Sequence, residues 1–398
     1  MLKMILKDLR ISPLRSVLTS ISMLVGILAM IASFLVGTLG SEYLVAVNAQ
    51  IYGIGPTYSF SVAGSYFEDY SKLEKLLLSL ERIDDHTAVT FSMREDVRFA
   101  PAAAISSLQK PDMVLYKNLL HVDTVFTTSS YNQIFNLPIS SGEWFNDAGS
   151  NDSLEIVVNK EAESRFHTPY AVGNIGSSLA LTPYRIIGTV NDGRDVPTVY
   201  IDVYSAAQYV SSMWQVQNAT IYWNATHGLT IEQIYSALSD CIADTIGGDL
   251  EYSGRSDVGN TYDSVLYILQ IGLLMTSFLL LFVSILGQIN IGLASLEQRT
   301  QELLIRRAIG ASRASIVLLV LGSQLILSVF VCAVSILISI FLVQGIGMYL
   351  PADSPVPSPD YPIPAAMTAV LASAATALLG GLLPALKAAK LEPALALR

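Results

Sequence analysis

Four strongly apolar stretches of this chain carry no Asp, Glu, Lys or Arg, and each is long enough to cross a bilayer. They run from Ser16 to Ser41, Ser264 to Leu296, Ala314 to Ala352 and Tyr361 to Leu386. A helix needs about 20 apolar residues to span the hydrocarbon core. A helix that is apolar all round over such a length has no polar face to turn to water, so it belongs in lipid rather than on a soluble core. Composition agrees: 52% of residues are hydrophobic and only 14% charged, against about 25% charged in soluble domains. The first run follows Lys3, Lys7, Arg10 and Arg15, as a secretory signal would. It is about twice the length of a signal's apolar region, and we read it as an uncleaved span.

The charges are unevenly divided. The N-terminal tail, the 297–313 segment and the C-terminal tail together hold eleven basic and four acidic residues, whereas the remaining segments hold twelve basic and 29 acidic ones. Basic residues collect on the cytoplasmic side. Four spans therefore give a multi-pass protein with both termini inside: tail 1–15, span 16–41, external domain 42–263, span 264–296, cytoplasmic helix 297–313, span 314–350, external loop 351–360, span 361–386 and tail 387–398. The second run is longer than the bilayer, which predicts an outward stalk. The 351–360 loop is rich in proline and reads as an extended, polyproline-like connection. The net acidic balance, −10 overall, offers no footprint for nucleic acid.

The external segment reads as mixed α/β. Leu154–Val158, Tyr184–Val190, Thr198–Val203, Ala219–Trp223 and Ala88–Phe91 have strand composition. Helices are expected over Tyr70–Arg82, Lys160–Phe166 and from Thr230 to Ile246, where Thr230 and Gln233 fit a capping box. Asn191-Asp-Gly193 is turn chemistry. The fold class is thus a four-helix membrane protein with a mixed α/β domain inserted between the first two spans.

The sharpest local signal lies in residues 297–313. Arg299, Glu302 and Arg306 share a helical face at spacings of three and four. Gly310 is placed to end that helix and Ser312 to cap the next. The pattern predicts a short amphipathic helix, a sharp turn and a span.

Glu297-x-Arg299-x-x-Glu302-x-x-x-Arg306-Arg307-Ala308-Ile309-Gly310-Ala311-Ser312 resembles the signature loop of the FtsX/MacB superfamily of ABC transporter permeases. Leu383–Arg398 resembles the family's closing motif, and Leu14-Arg15-Ser16-x-Leu18-Thr19 its entry into the first span. Ser141–Phe145, the 154–158 strand and Tyr184–Val190 resemble, more loosely, the external core domain of MacB-like members.

The resemblance implies a non-catalytic permease in a bacterial plasma membrane, paired with a second permease subunit and a cytoplasmic ABC ATPase dimer. An external adaptor or substrate-binding protein is a further partner it allows. ATP and Mg are expected on the ATPase, with no cofactor on this chain. The sequence has no G-x-x-x-x-G-K-[ST] phosphate cradle, so the ATPase is expected as a separate polypeptide, unlike the fused MacB arrangement. Implied roles follow. Leu303, Leu304, Ala308 and Ile309 bury an apolar face against the ATPase or a neighbouring helix. Arg299, Glu302, Arg306 and Arg307 set orientation by ion pairs, Glu297 belongs to the same coupling interface, and Gly310 and Ser312 shape the turn. Arg15, Lys387 and Lys390 anchor lipid headgroups. The implied function is ATP-driven export or extraction of a hydrophobic compound, peptide or lipoprotein. The alternative is mechanotransmission to an external cell-wall hydrolase or sensor without net transport.

Other signals are weaker. The four histidines are dispersed without metal-ligand spacing. No G-x-S-x-G elbow occurs. Asn191–Asp195 lacks the spaced ligands of a calcium loop. Gln270, Gln288, Asn290, Gln324 and Gln344 are expected to hydrogen-bond between helices or to lie near an interface, and Cys332 to act as a small packing residue. The aromatics between Tyr58 and Tyr70 fit either a core or a substrate groove.

Overall fold

The computed structural model describes residues 13–67, 70–84, 86–94, 98–100, 120–146, 154–166, 172–176, 182–209, 215–225, 228–257, 263–356 and 358–390. The chain divides into two units. The membrane unit comprises Met1–Glu42, Asp263–Leu350 and Ser358–Arg398; the external unit comprises Tyr43–Tyr262 and Pro351–Pro357.

The first helix, α1 (Pro13–Tyr52), is continuous, and its last turns belong to the external unit. Beyond it the external unit is built on one mixed sheet. In chain order its strands are β1 (Thr57–Ala63), β2 (Thr87–Met93), β3 (Arg98–Ala100), β4 (Leu120–His121), β5 (Asp123–Thr127), β6 (Ile139–Gly142), β7 (Leu154–Asn159), β8 (Val172–Gly176), β9 (Thr182–Val190), β10 (Thr198–Asp202), β11 (Val216–Asn224) and β12 (Leu250–Arg255). Their spatial order is β12-β1-β11-β2-β5-β10-β7-β9-β8-β3-β4, with β6 paired to β9. The β10–β5 and β7–β9 pairs are parallel and the others antiparallel. The interspersed helices are α2 (Tyr70–Ile83), α3 (Tyr131–Phe135), α4 (Lys160–Phe166), α5 (Val203–Tyr209) and α6 (Ile231–Thr245).

Strand alternation fills two cores. Side chains at successive strand positions point to opposite faces. Val199 and Ile201 of β10 accordingly join one cluster, with Ile156, Val158, Phe91 and Trp223, while Tyr200 enters the other, with Val157, Ala88 and Val190. The first cluster is covered by Leu73, Leu76 and Leu80 of α2 and by Ile234, Leu238 and Ile242 of α6. The second is covered by Tyr131, Ile134 and Phe135 of α3. The capping box is formed: Gln233 N donates to Thr230 Oγ1 (3.3 Å) and Thr230 N to Gln233 Oε1 (3.0 Å). Phe60 and Phe67 are core residues and Tyr58 stacks on Trp223 at 5.7 Å. These aromatics therefore pack the interior rather than line a groove; the side chain of Tyr70 lies outside those described.

The membrane unit adds α7 (Asp263–Ala308), α8 (Arg313–Tyr349) and α9 (Ile363–Ala389), so the described residues include four helices long and apolar enough to span a membrane. In lipid, only the intrahelical ladder satisfies the backbone. Ala365, Ala369, Ala372, Ala385 and Ala388 of α9 are buried between α7 and α8. Small residues let helices approach closely where apolar area gives no drive. A Cβ on Gly292 would lie 2.6 Å from Pro384, and one on Gly380 would overlap Gln288. Met23, Ile27 and Ile31 of α1 pack with Leu281 of α7 and with Cys332 of α8, which fills a small gap as expected. Gln288 is 3% exposed. Its Oε1 lacks a protein hydrogen-bond partner, so this oxygen does not make the interhelical bond expected of it.

Two sequence expectations are corrected. No separate helix begins at Glu297: α7 runs unbroken through the change from apolar to charged residues. Leaving lipid does not end a helix, and Glu, Gln, Arg and Leu all favour its continuation. α7 thus also extends over 297–308, and the last turns of α1 belong to the external unit. The 351–356 loop is not extended. It turns, with Ser354 N bonded to Pro351 O at 3.0 Å, because Asp353 is held by side chains of the external unit.

Candidate functional site

The last turns of α7 present two unlike faces. Leu296 and Leu303 are buried with Ile316 of α8 and Ala388 of α9, and Leu304 is also buried. The other face is open, with Ile305 57% and Ile309 82% exposed. Glu302 and Arg306 form an i,i+4 ion pair on the exposed side at 2.5 Å. Glu297 and Ala308 are exposed, and Arg299 is half-buried.

The turn that follows is fixed by backbone bonds. Gly310 N donates to Arg307 O (3.1 Å) and Ala311 N to Arg306 O (3.0 Å). This paired 5→2 and 6→1 closure requires a left-handed residue, here Gly310 at φ +106°. Ser312 Oγ then accepts from Ser315 N at 3.2 Å and caps α8. Both Gly310 and Ser312 occupy the places their spacing predicts.

The other expected residues divide. Leu303 and Leu304 face the chain's own helices, so they are not open to a partner. Ala308 and Ile309 are not buried, because the turn points them outward. Arg307 does more than carry charge: its Nη1 donates to Ala389 O at 3.1 Å and ties the end of α9 to the turn. A guanidinium at a helix C-terminus satisfies an orphan carbonyl and complements the dipole. Lys387 and Lys390 are exposed at that same end. Arg15 lies in the first turn of α1, and its side chain is outside those described. Sequence reasoning missed Ile305; its adjacency to Leu303 and Leu304 disguised it as part of one apolar run.

The site thus presents two exposed isoleucines, Ile305 and Ile309, beside the Glu302–Arg306 pair. Among the described residues no group of three or more His, Cys, Asp or Glu is placed to hold a metal. Two family models fit the chain: residues 16–240 match the MacB-like periplasmic core domain and residues 274–393 the FtsX-like permease C-terminal domain.

The chain belongs to the FtsX/MacB-type ABC permease family.

This permease is 25% identical over 406 residues to the macrolide export ATP-binding/permease protein MacB of Shigella boydii serotype 4 (strain Sb227), covering 98% of this chain and 59% of that protein. It is 24% identical over 393 residues to MacB of Salmonella typhi, covering 96% and 57%. The permease thus spans less than two thirds of the length of these curated relatives. Among solved structures it is similar to the periplasmic region of MacB from Actinobacillus actinomycetemcomitans (TM-score 0.35, 11% identity, 54% of this chain, 93% of that one). It is also similar to the extracellular domain of the noncanonic ABC-type transporter YknZ from Gram-positive bacteria (TM-score 0.33, 12% identity, 49% and 98%). The family and the four apolar helices make this a multi-pass bacterial inner-membrane protein.

Proposed function

We propose that this permease couples ATP hydrolysis by a cytoplasmic ABC ATPase dimer to movement of its external domain, and so exports or extracts a hydrophobic compound or peptide. The single observation that supports this most is the knob at the α7–α8 turn. Ile305 and Ile309 are large, apolar and exposed on a turn held by Gly310, Ser312 and the Arg307–Ala389 bond. A knob fixed on the ends of three helices transmits force; one on a mobile loop would absorb it. Bulky side chains inserted into a partner's pocket carry most of such an interface, and the flanking Glu302–Arg306 pair sets its register. The basic tails and 297–313 segment favour a cytoplasmic position for this end under the positive-inside rule. A second permease subunit completes the assembly, and the hydrophobic-compound part of the reading follows the macrolide export printed for the MacB relatives.

The test is co-purification from membranes of cells expressing this permease with its ATPase. Ile309→Asp, with or without Ile305→Asp, is expected to reduce recovered ATPase at least tenfold while the permease still inserts. Undiminished recovery from the double variant would overturn the reading.

A further inference from the structure

The loop between α8 and α9 needs no tertiary contact merely to connect two spans, yet residues 351–356 fold as part of the external unit. Asp353 is only 7% exposed. Its Oδ2 accepts from Ser140 Oγ of β6 at 2.5 Å and pairs with Lys160 Nζ at the start of α4. Its backbone oxygen accepts from Asn191 Nδ2 at 2.9 Å. A buried carboxylate is stable only when paired and hydrogen-bonded, and here β6 and α4 supply its partners while Asn191 holds the backbone.

Asn191 links this loop to another element. Its own carbonyl oxygen accepts from Gln50 Nε2 near the end of α1. Its amide is fixed by Pro138 O at 2.9 Å. The next residue, Asp192, accepts from Tyr200 Oη of the central strand β10 at 2.8 Å and from Asn159 Nδ2 at 3.1 Å. Hydrogen bonds therefore run without a break from the outer loop, through one turn, to α1 and to the middle of the sheet. Pro351 and Pro355 restrict the backbone of the loop.

We propose that residues 351–356 are a clasp by which the α8–α9 hairpin grips the external domain, with Asp353 as its pin and Asn191 as the point where clasp and α1 are joined. The clasp is a property of this chain and does not depend on which ATPase drives it or what is moved.

Hydrogen exchange on the full chain in lipid nanodiscs tests it. Peptides covering 352–356 are expected to be protected in the parent protein. They are expected to exchange roughly tenfold faster in Asp353→Ala and in Lys160→Met, which leaves the carboxylate buried without its counter-charge. Ser358→Ala, just outside the clasp, leaves them protected. Peptides from β7 and β10 monitor folding in every sample. A second measurement covers the case in which Asp353→Ala disturbs the whole domain. With Cys241 and Cys332 replaced by serine, the pair Ser140→Cys and Asp353→Cys is expected to form a disulfide under mild oxidation, identified by mass spectrometry. Free exchange of 352–356 in the parent, unchanged protection in both Asp353→Ala and Lys160→Met, or absence of the 140–353 disulfide would each overturn the clasp.

Discussion

Asp84 shows how a single side chain can stiffen the external domain. It is buried at the end of α2, accepts from Trp223 Nε1 at 2.8 Å and His86 N at 2.9 Å, and lies 3.3 Å from His86 Nδ1. Burial pushes its acidity toward the neutral form, but the Trp223 and His86 interactions together outweigh it and hold its pKa below the ordinary 3.8. A carboxylate with a depressed folded-state pKa contributes stability that is present above its unfolded value and lost as pH falls through the folded one. The domain's melting temperature is therefore expected to fall as pH drops below 3.8, and Asp84→Asn to reduce that acid-side loss. At neutral pH the same variant should cost about 1–3 kcal/mol, since an amide cannot accept from both donors as the carboxylate does. Calorimetry across pH on parent and variant measures both effects. Gly310 gives a contrasting case. A Cβ there would meet nothing within 4 Å, so the objection to a side chain is its φ of +106° alone. Gly310→Ala is expected to cost about 1–2 kcal/mol, with Ile309 reoriented and the response of the bound ATPase lost while the spans remain inserted. Normal ATPase stimulation by that variant would remove Gly310 from the coupling element.

At the scale of elements, what the sequence made legible was local and what it concealed was distant. The Thr230–Gln233 box, the Gly310 terminator and the Ser312 cap each act within a few residues, so their spacing alone announces them. The strands Leu154–Asn159 and Thr182–Val190 were legible from β-branched runs. The continuity of α7 was not, because a change of solvent at Glu297 resembles the end of an element. Arg307 was read as a surface charge because its acceptor lies 82 residues further on. The role of Asp353 depends on Ser140, 213 residues away. The α7–α9 contact was also silent in sequence, since glycine in a span has no single meaning. Its structure makes a prediction. A side chain at Gly292 must displace the Pro384 ring, whereas one at Gly287, on the same helix, meets nothing within 4 Å. Gly292→Leu is expected to destabilise the membrane unit by about 1–3 kcal/mol through overpacking, with Gly287→Leu close to neutral. Thermal unfolding in detergent compares them, and equal losses would show that the two helices do not meet as described.

At the scale of the molecule, the uneven charge and the apolar spans bear on one question, which way the chain lies in the membrane. Eleven basic residues against four acidic ones occupy the tails and the 297–313 segment, and the external segments are strongly acidic. The cytoplasmic leaflet is the more anionic one and favours each nearby Lys or Arg by about 1 kcal/mol. Arg313, Lys387 and Lys390 at the ends of α8 and α9 therefore all pull the same end inward. The clasp adds an independent constraint: Asp353 bonds to Ser140 and Lys160, so the 351–356 loop must share a compartment with the external domain. Cysteine accessibility joins these arguments. With Cys241 and Cys332 replaced by serine, a cysteine at exposed Ile309 is expected to react with a membrane-impermeant maleimide only after permeabilisation of intact cells. Cysteines at exposed Tyr235 and at exposed Pro351 are expected to react before it. Labelling of 235 and 351 on opposite sides would refute the clasp and the topology together. Labelling of 309 from outside would instead leave the clasp standing and remove the knob from any cytoplasmic ATPase, because only the knob's function requires the inner surface.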